Sequence, residues 1–384
     1  MIFQPKRYGP RALWVLVVAV TGLYAGSSQA AERVFYLAAE DVVWDYAAGG
    51  RNMLTGTPYT EEEKVFVEHT AGRIGSRYLK TRYVEYADAD FRTPKPRAGN
   101  WEHLGLLGPV LHAEVGDALK LVFRNQSTRP YSVHPHGVFY DKDSEGALTN
   151  DGTADAAKRD DAVPPGATYT YRWRVPERAG PGPADGSSIA WLYHSHVDAM
   201  KDVNAGLVGA IVVTKRGLAR PDGSPNDVDR EFVTLFSIVN ENTSGHLDEN
   251  IRRFMGAKPP KKDDEGFTES NLMHAVNGTV FGHLPGLDMR VCERVRWYVL
   301  ALGSEDDLHT PHWHGNSGLH HGHRTDVVEL LPASMQVFDM QPDAPGTWML
   351  HCHVDDHMMA GMGALYRVSG EPAQSCPAVA NPAR

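Results

Sequence analysis

The chain has 384 residues, with 38 Lys and Arg against 48 Asp and Glu, for a formal net charge of −10. That length suits two domains of ordinary size, and an acidic balance without Lys/Arg blocks excludes a nucleic-acid-binding footprint. The 37 glycines and 25 prolines separate short apolar runs, a composition that suits an all-β protein with many turns.

Lys6, Arg7 and Arg11 precede an apolar run at 12–25 and then Ser28-Gln29-Ala30. This is the pattern of a secretory signal peptide over 1–30, with a run too short for an ordinary membrane span. A soluble periplasmic or secreted protein is expected, with no membrane partner after cleavage. Residues 32–46 (ERVFYLAAEDVVWDY) alternate as an opening strand, and a polar, turn-rich stretch is expected up to about residue 100. Further strands are expected at 118–125, 168–173, 189–196 and 206–214. Residues 217–229 read as a linker. A second unit then carries strands at 231–238, 271–277, 295–302, 334–340, 346–352 and 363–368.

The two units, 31–216 and 230–384, resemble each other. Tyr193-His194-Ser195-His196-Val197-Asp198 parallels Leu350-His351-Cys352-His353-Val354-Asp355, and His134-Pro135-His136-Gly137 parallels His312-Trp313-His314-Gly315. Two Greek-key β-barrel or sandwich domains are the simplest account. Ser195 stands in the first unit where Cys352 stands in the second.

The chemistry concentrates in HCHVDDHMMAGM, residues 351–362. A His₂Cys set with a weak axial Met is the ligand set of a blue copper site. On an extended backbone, Cys352 faces one side while His351 and His353 face the other. With Cys352 on copper, parity pairs Cys292 with Cys376 in an oxidising compartment; two free thiols are the alternative. Four His-x-His elements (His134/His136, His194/His196, His312/His314, His351/His353) exceed the needs of one mononuclear site.

These four elements resemble the copper motifs of multicopper oxidases, which are built on cupredoxin domains. The resemblance implies four copper ions per chain. His309, Cys352, His357 and Met362 would hold the type 1 copper, and His134 and His312 the type 2 copper. His136, His194 and His353 would hold one type 3 copper, and His196, His314 and His351 the other. It also implies O₂ as acceptor, Asp198 as candidate proton relay, and a head-to-tail homotrimer with clusters at subunit interfaces.

Glu32–Tyr46, Gly72–Ser76, Glu102–Pro109 and Glu269–Gly278 narrow the resemblance to ceruloplasmin and hephaestin domains. It then implies Fe(II) as reductant, held by Glu269, His274 and Asp356, with Glu305 reaching the neighbouring subunit's site. A calcium ion near Asp160 and Asp161 is also implied, although Ala157 stands where a side-chain ligand is usual. The histidines His320, His321 and His323 are expected on the surface. Met358 and Met359 bring in Cu(I) as an alternative donor. A laccase-like oxidase of phenols or aromatic amines, a copper nitrite reductase and a copper-storage or electron-carrier protein are the other readings weighed.

Overall fold

The computed structural model describes residue 1, residues 30–256 and residues 260–376. The expected signal peptide therefore lies almost wholly outside the described residues. Four sheets make up the fold, two in each half. In the first half, one sheet runs Arg77–Tyr86, Glu32–Asp45, Ala118–Asn125, Thr168–Arg174 and Phe139–Tyr140. The other runs Leu111–Glu114, Val208–Thr214, Ser188–His194 and His134–Pro135.

The second half repeats this order. Its first sheet runs Leu272–Val276, Arg230–Asn240, Val295–Ala301, Met335–Met340, Gly318–His320 and His323–Thr325. Its second runs Asp288–Arg290, Gly363–Ser369, Gly346–Cys352 and Pro311–Trp313. Even the parallel pairings match. Glu32–Asp45 runs parallel to Ala118–Asn125, as Arg230–Asn240 does to Val295–Ala301. Among the described residues no strand pairing crosses between the halves.

Each half closes around its own apolar core. Leu119, Leu121, Phe123, Tyr171 and Trp173 fill the first. In the second, Trp313 stacks on Phe338 with 4.2 Å between ring centroids, and Trp297 meets Trp313 edge-on. Burying each such large side chain contributes about 1.5–3 kcal/mol, and aromatic pairing adds to that. The Cys292–Cys376 disulfide ties the end of the described chain to the second half.

Two features depart from the sequence reading. Residues 77–86 form a strand inside the stretch expected to be turns. Its alternation is masked by Lys80, an inward-facing residue that reads as polar. Lys80 is fully buried against Glu241 of the other half, whose second partner is the Tyr46 hydroxyl at 2.6 Å. The remainder of that stretch packs across the halves. Tyr46, Phe66 and Tyr78 share one apolar cluster with Met273, Phe281 and Ala360.

Candidate metal centre

The Gly346–Cys352 strand ends at the thiol, and its neighbour Pro311–Trp313 pairs Pro311 with Cys352 and His312 with His351. This pairing places the second half's histidines and its thiol at one end of one sheet. Cys352 Sγ lies 3.9 Å from His309 Nδ1 and 3.6 Å from His357 Nδ1, and the two imidazole nitrogens are 3.1 Å apart. All three residues are buried. Met362 is fully buried beside them, and its backbone nitrogen donates to the His357 carbonyl.

Burial alone would raise the Cys352 thiol. Hydrogen bonds from His309, His357 and backbone amides outweigh it and bring the thiol down to about 6. A thiolate with two imidazoles and a thioether suits copper. The donors present fit that ion.

His309 is oriented from behind. Its Nε2 is 3.2 Å from Asp307 Oδ1, a carboxylate buried to 1% exposure. Asp307 also accepts from the backbone nitrogens of Ile238 and Ser304. The loop closes so tightly that a Cβ on Gly303 would lie 1.9 Å from Asp307 Oδ2. A carboxylate behind a ligating imidazole fixes the tautomer and leaves Nδ1 to the metal. This residue was missed in the sequence, where only its position two before His309 hints at the role.

The eight histidines of the four His-x-His elements form two sets of four. In the first half, His134, His136, His194 and His196 have ring centroids 5.1–5.7 Å apart in contacting pairs, and His136 Nε2 is 3.1 Å from His194 Nε2. In the second half, His312, His314, His351 and His353 show 4.8–5.4 Å, and His314 Nε2 is 3.0 Å from His351 Nε2. The Nδ1 atoms of His134, His194 and His351 face backbone carbonyls at 2.7, 3.0 and 2.8 Å, leaving Nε2 as the free donor.

Burial and neighbouring imidazoles push His136 down to about 4 and His194 to about 3, so both rings are neutral at physiological pH and free to bind metal. Among the described residues, no ring of one set contacts a ring of the other.

The remaining candidates scatter. Asp198 is half exposed and caps the Ala199–Ala205 helix, with Lys201 Nζ 2.5 Å from its carboxylate. The buried carboxylate nearby is Asp202, which sequence reading passed over. It accepts from Ser195 Oγ at 2.7 Å, and burial raises it to about 6. His274 is 7% exposed, and its ring centroid lies 5.3 Å from that of His357. Its Nδ1 is buried without a hydrogen-bond partner. Glu269, Glu305 and Asp356 are exposed.

Residues 318–325 form a hairpin on which His321 and His323 are exposed, and Met359 is 63% exposed. Asp160 and Asp161 are buried together. However, the Lys158 ammonium sits 3.1 Å from Asp161, where a calcium ion would need the space, so these residues do not fit that ion.

Two multicopper oxidase family models match residues 104–217 and 257–371. The chain belongs to the multicopper oxidase family. It is 45% identical over 361 residues to hephaestin of Homo sapiens, covering 93% of this chain and 31% of that protein. It is 46% identical over 342 residues to ferroxidase HEPHL1 of Homo sapiens, covering 88% and 29%. It is 42% identical over 346 residues to ceruloplasmin of Homo sapiens, covering 88% and 31%. The chain thus spans about a third of the length of these curated relatives. A solved multicopper oxidase superposes with a TM-score of 0.55 at 19% identity, over 88% of this chain and 89% of that one, which shows the shared cupredoxin-like fold.

Proposed function

We propose that this chain is an O₂-consuming multicopper oxidase whose reductant is Fe(II). The observation that carries the ferrous reading is His274. A buried imidazole with an unpartnered nitrogen sits against the ligand His357, and Asp356 directly precedes that ligand. Carboxylates plus one imidazole suit a ferrous ion, and Glu269 lies on the Glu265–Ser270 helix that leads into the strand of His274. The name of the relative ferroxidase HEPHL1 points the same way.

Copper, once bound, supplies one-electron acceptance at the thiolate site and reduction of O₂ to water at the histidine sets. The protein supplies the rest. Cys352 joins the two sites through its flanking peptide bonds to His351 and His353. Asp307 holds His309 in place, and neutral imidazoles offer their Nε2 atoms. The exposed Asp198 and the buried Asp202, whose Oδ2 accepts from the Asp198 nitrogen at 3.1 Å, are the carboxylates closest in sequence to His196 for moving protons.

The ligand assignment carries an assembly with it. Each half offers two paired imidazoles to one type 3 copper and one to the other, with one more for the type 2 copper. Neither half completes a cluster, and the two sets do not touch within the chain. A head-to-tail homotrimer brings the sets together at three interfaces and lets Glu305 reach the neighbouring subunit's site. The reading also includes four coppers per chain, two domains at 31–216 and 230–384 joined by 217–229, and export to the periplasm or exterior through the signal peptide. No helix among the described residues is long and apolar enough to cross a membrane.

The test is oxygen uptake by the copper-loaded protein with Fe²⁺, Cu⁺ and a phenol side by side. The ferrous reading expects about four Fe²⁺ per O₂, from electron balance, and the highest kcat/KM with Fe²⁺. Faster turnover of the phenol would favour the laccase-like reading. Nitrite reduction without O₂ uptake would favour a nitrite reductase.

A further inference from the structure

The loop between Phe139–Tyr140 and Thr168–Arg174 is rich in acids. Asp143, Glu145, Asp151, Asp160 and Asp161 all lie on it. At its centre, Lys158 Nζ is 2.7 Å from the Thr149 carbonyl, 2.9 Å from Asp151 Oδ1 and 3.1 Å from Asp161 Oδ2. Two carboxylates and a backbone carbonyl around one cation are the oxygen donors a hard divalent ion would use. Asp160 Oδ1 is buried in the same loop with no hydrogen-bond partner.

The loop reaches the first histidine set by two routes. The Glu145 carbonyl accepts from His134 Nδ1 at 2.7 Å. Asp160 Oδ2 accepts from the Gly146 nitrogen at 2.7 Å, the Gly146 carbonyl accepts from Ser132 Oγ at 2.6 Å, and Ser132 Oγ accepts from the His196 nitrogen at 3.0 Å. Lys158 ties Thr149 and Asp151 to Asp161, whose neighbour Asp160 holds Gly146, so the ammonium supports the backbone that aims His134 and His196.

We propose that the Lys158 ammonium is the built-in cation of this loop, replacing a bound divalent ion, and that Lys158 is a positioning residue for His134 and His196. Without the Lys158 ammonium, Asp161 loses the cation beside it, Asp151 keeps only the more distant Lys142 at 3.5 Å, and the vacated Asp151, Asp161 and Thr149 oxygens form a cage for calcium. The chain is thereby calcium-independent as it stands, and one substitution makes it calcium-dependent. The positioning part rests on the copper reading above; the cation part does not.

The experiment follows thermal unfolding of the full chain in EGTA and in about 5 mM CaCl₂, a concentration that saturates sites of millimolar affinity. It is run on copper-loaded and copper-stripped protein, so that failure of the copper reading is seen separately. Wild type is expected to shift by less than about 1 °C between the two conditions. Lys158→Met is expected to unfold about 2–4 °C lower in EGTA and to recover at least half of that with calcium.

Lys158→Arg, which keeps the charge, is expected to ignore calcium. A wild type stabilised by calcium, a Met variant indifferent to it, or an Arg variant that needs it would overturn the cation assignment. In copper-loaded Lys158→Met, the type 2 copper signal in electron paramagnetic resonance is expected to weaken in EGTA and return with calcium. A signal unchanged in EGTA would overturn the positioning role.

Discussion

Ser195 and Cys352 occupy the same place in the two halves. Each lies between two histidines at the end of a strand, and each accepts a hydrogen bond from an equivalent backbone amide: Ser132 N to Ser195 Oγ at 3.1 Å, and Thr310 N to Cys352 Sγ at 3.4 Å. The correspondence extends outward. Tyr131 bridges Val163 as His309 bridges Leu330, and the amides of Ser195 and Cys352 donate to the carbonyls of Leu207 and Met362. The first half keeps the scaffold of a thiolate copper site with a tyrosine, a serine and an aliphatic side chain at the ligand positions.

That comparison makes Cys352→Ser a clean deletion. The variant is expected to fold, since the first half tolerates serine at this place. It should lack the intense visible band of a copper–thiolate site, and donor-dependent O₂ uptake should fall by about three orders of magnitude or more, an added barrier of about 4 kcal/mol. Visible absorption and oxygen-electrode rates check both; a blue, active serine variant would remove Cys352 from the electron path.

The interface assignment is checked by complementation. His136→Ala disables the first-half set and His314→Ala the second-half set, so each homotrimer should be inactive. Mixed trimers refolded or co-expressed from both should regain about a quarter of wild-type activity, because a random head-to-tail ring pairs two intact halves at one interface in four. If each chain completed its own clusters, mixing would restore nothing.

Acid should weaken the protein from a specific direction. His136 and His194 are pushed below their ordinary value by burial first and by neighbouring imidazoles second, to about 4 and about 3, and burial takes His274 to about 4. The unfolded chain then binds more protons than the native one between about pH 6.5 and 4. Stability is therefore full above 6.5 and is lost as pH falls through that window. Asp160 and Asp202, each raised to about 6 by burial, oppose this with the reverse sign, but the depressed histidines, which also include His103 at about 3 and His246 at about 4, outnumber them. Urea midpoints of the copper-free protein are expected to fall steadily from pH 7 to 4.5, and bound copper should dissociate over the same range.

The Lys80–Glu241 pair joins the halves with both side chains fully buried. Burial pushes the lysine down and the glutamate up, and the charge of each partner opposes the shift of the other. Lys80→Met leaves Glu241 uncompensated and is expected to cost about 3–5 kcal/mol in denaturant unfolding. The double variant Lys80→Met/Glu241→Leu is expected to recover much of that loss. An additive double variant would show that the two charges do not interact.

The fold was largely legible because most strands carry a clean alternation; Ala118–Asn125 and Gly346–Cys352 match the sequence reading residue for residue. The strand at Arg77–Tyr86 was not, because its inward Lys80 finds its counter-charge far away in the chain. The copper-ligand candidates were legible because imidazole and thiol have few other uses at that spacing. The groups that support them were not. Asp307 shows only as an acid near a histidine, and Asp202 lies seven residues beyond Ser195 with no local signature. Phe66, which packs edge-on against His274 at 5.8 Å, comes from a different half altogether. Short-range pattern finds ligands; the groups that aim them are set by tertiary packing.

Fe(II) held beside His357 is the central claim, and Glu269→Ala tests it most directly. Glu269 is exposed, so its loss leaves the core intact. O₂ uptake is measured with Fe²⁺ and with a phenol on wild type and variant. The expected result is a fall in kcat/KM for Fe²⁺ of about tenfold or more, equivalent to about 1.4 kcal/mol, with phenol turnover unchanged. Unaltered Fe²⁺ oxidation, or an equal fall for both donors, would contradict it.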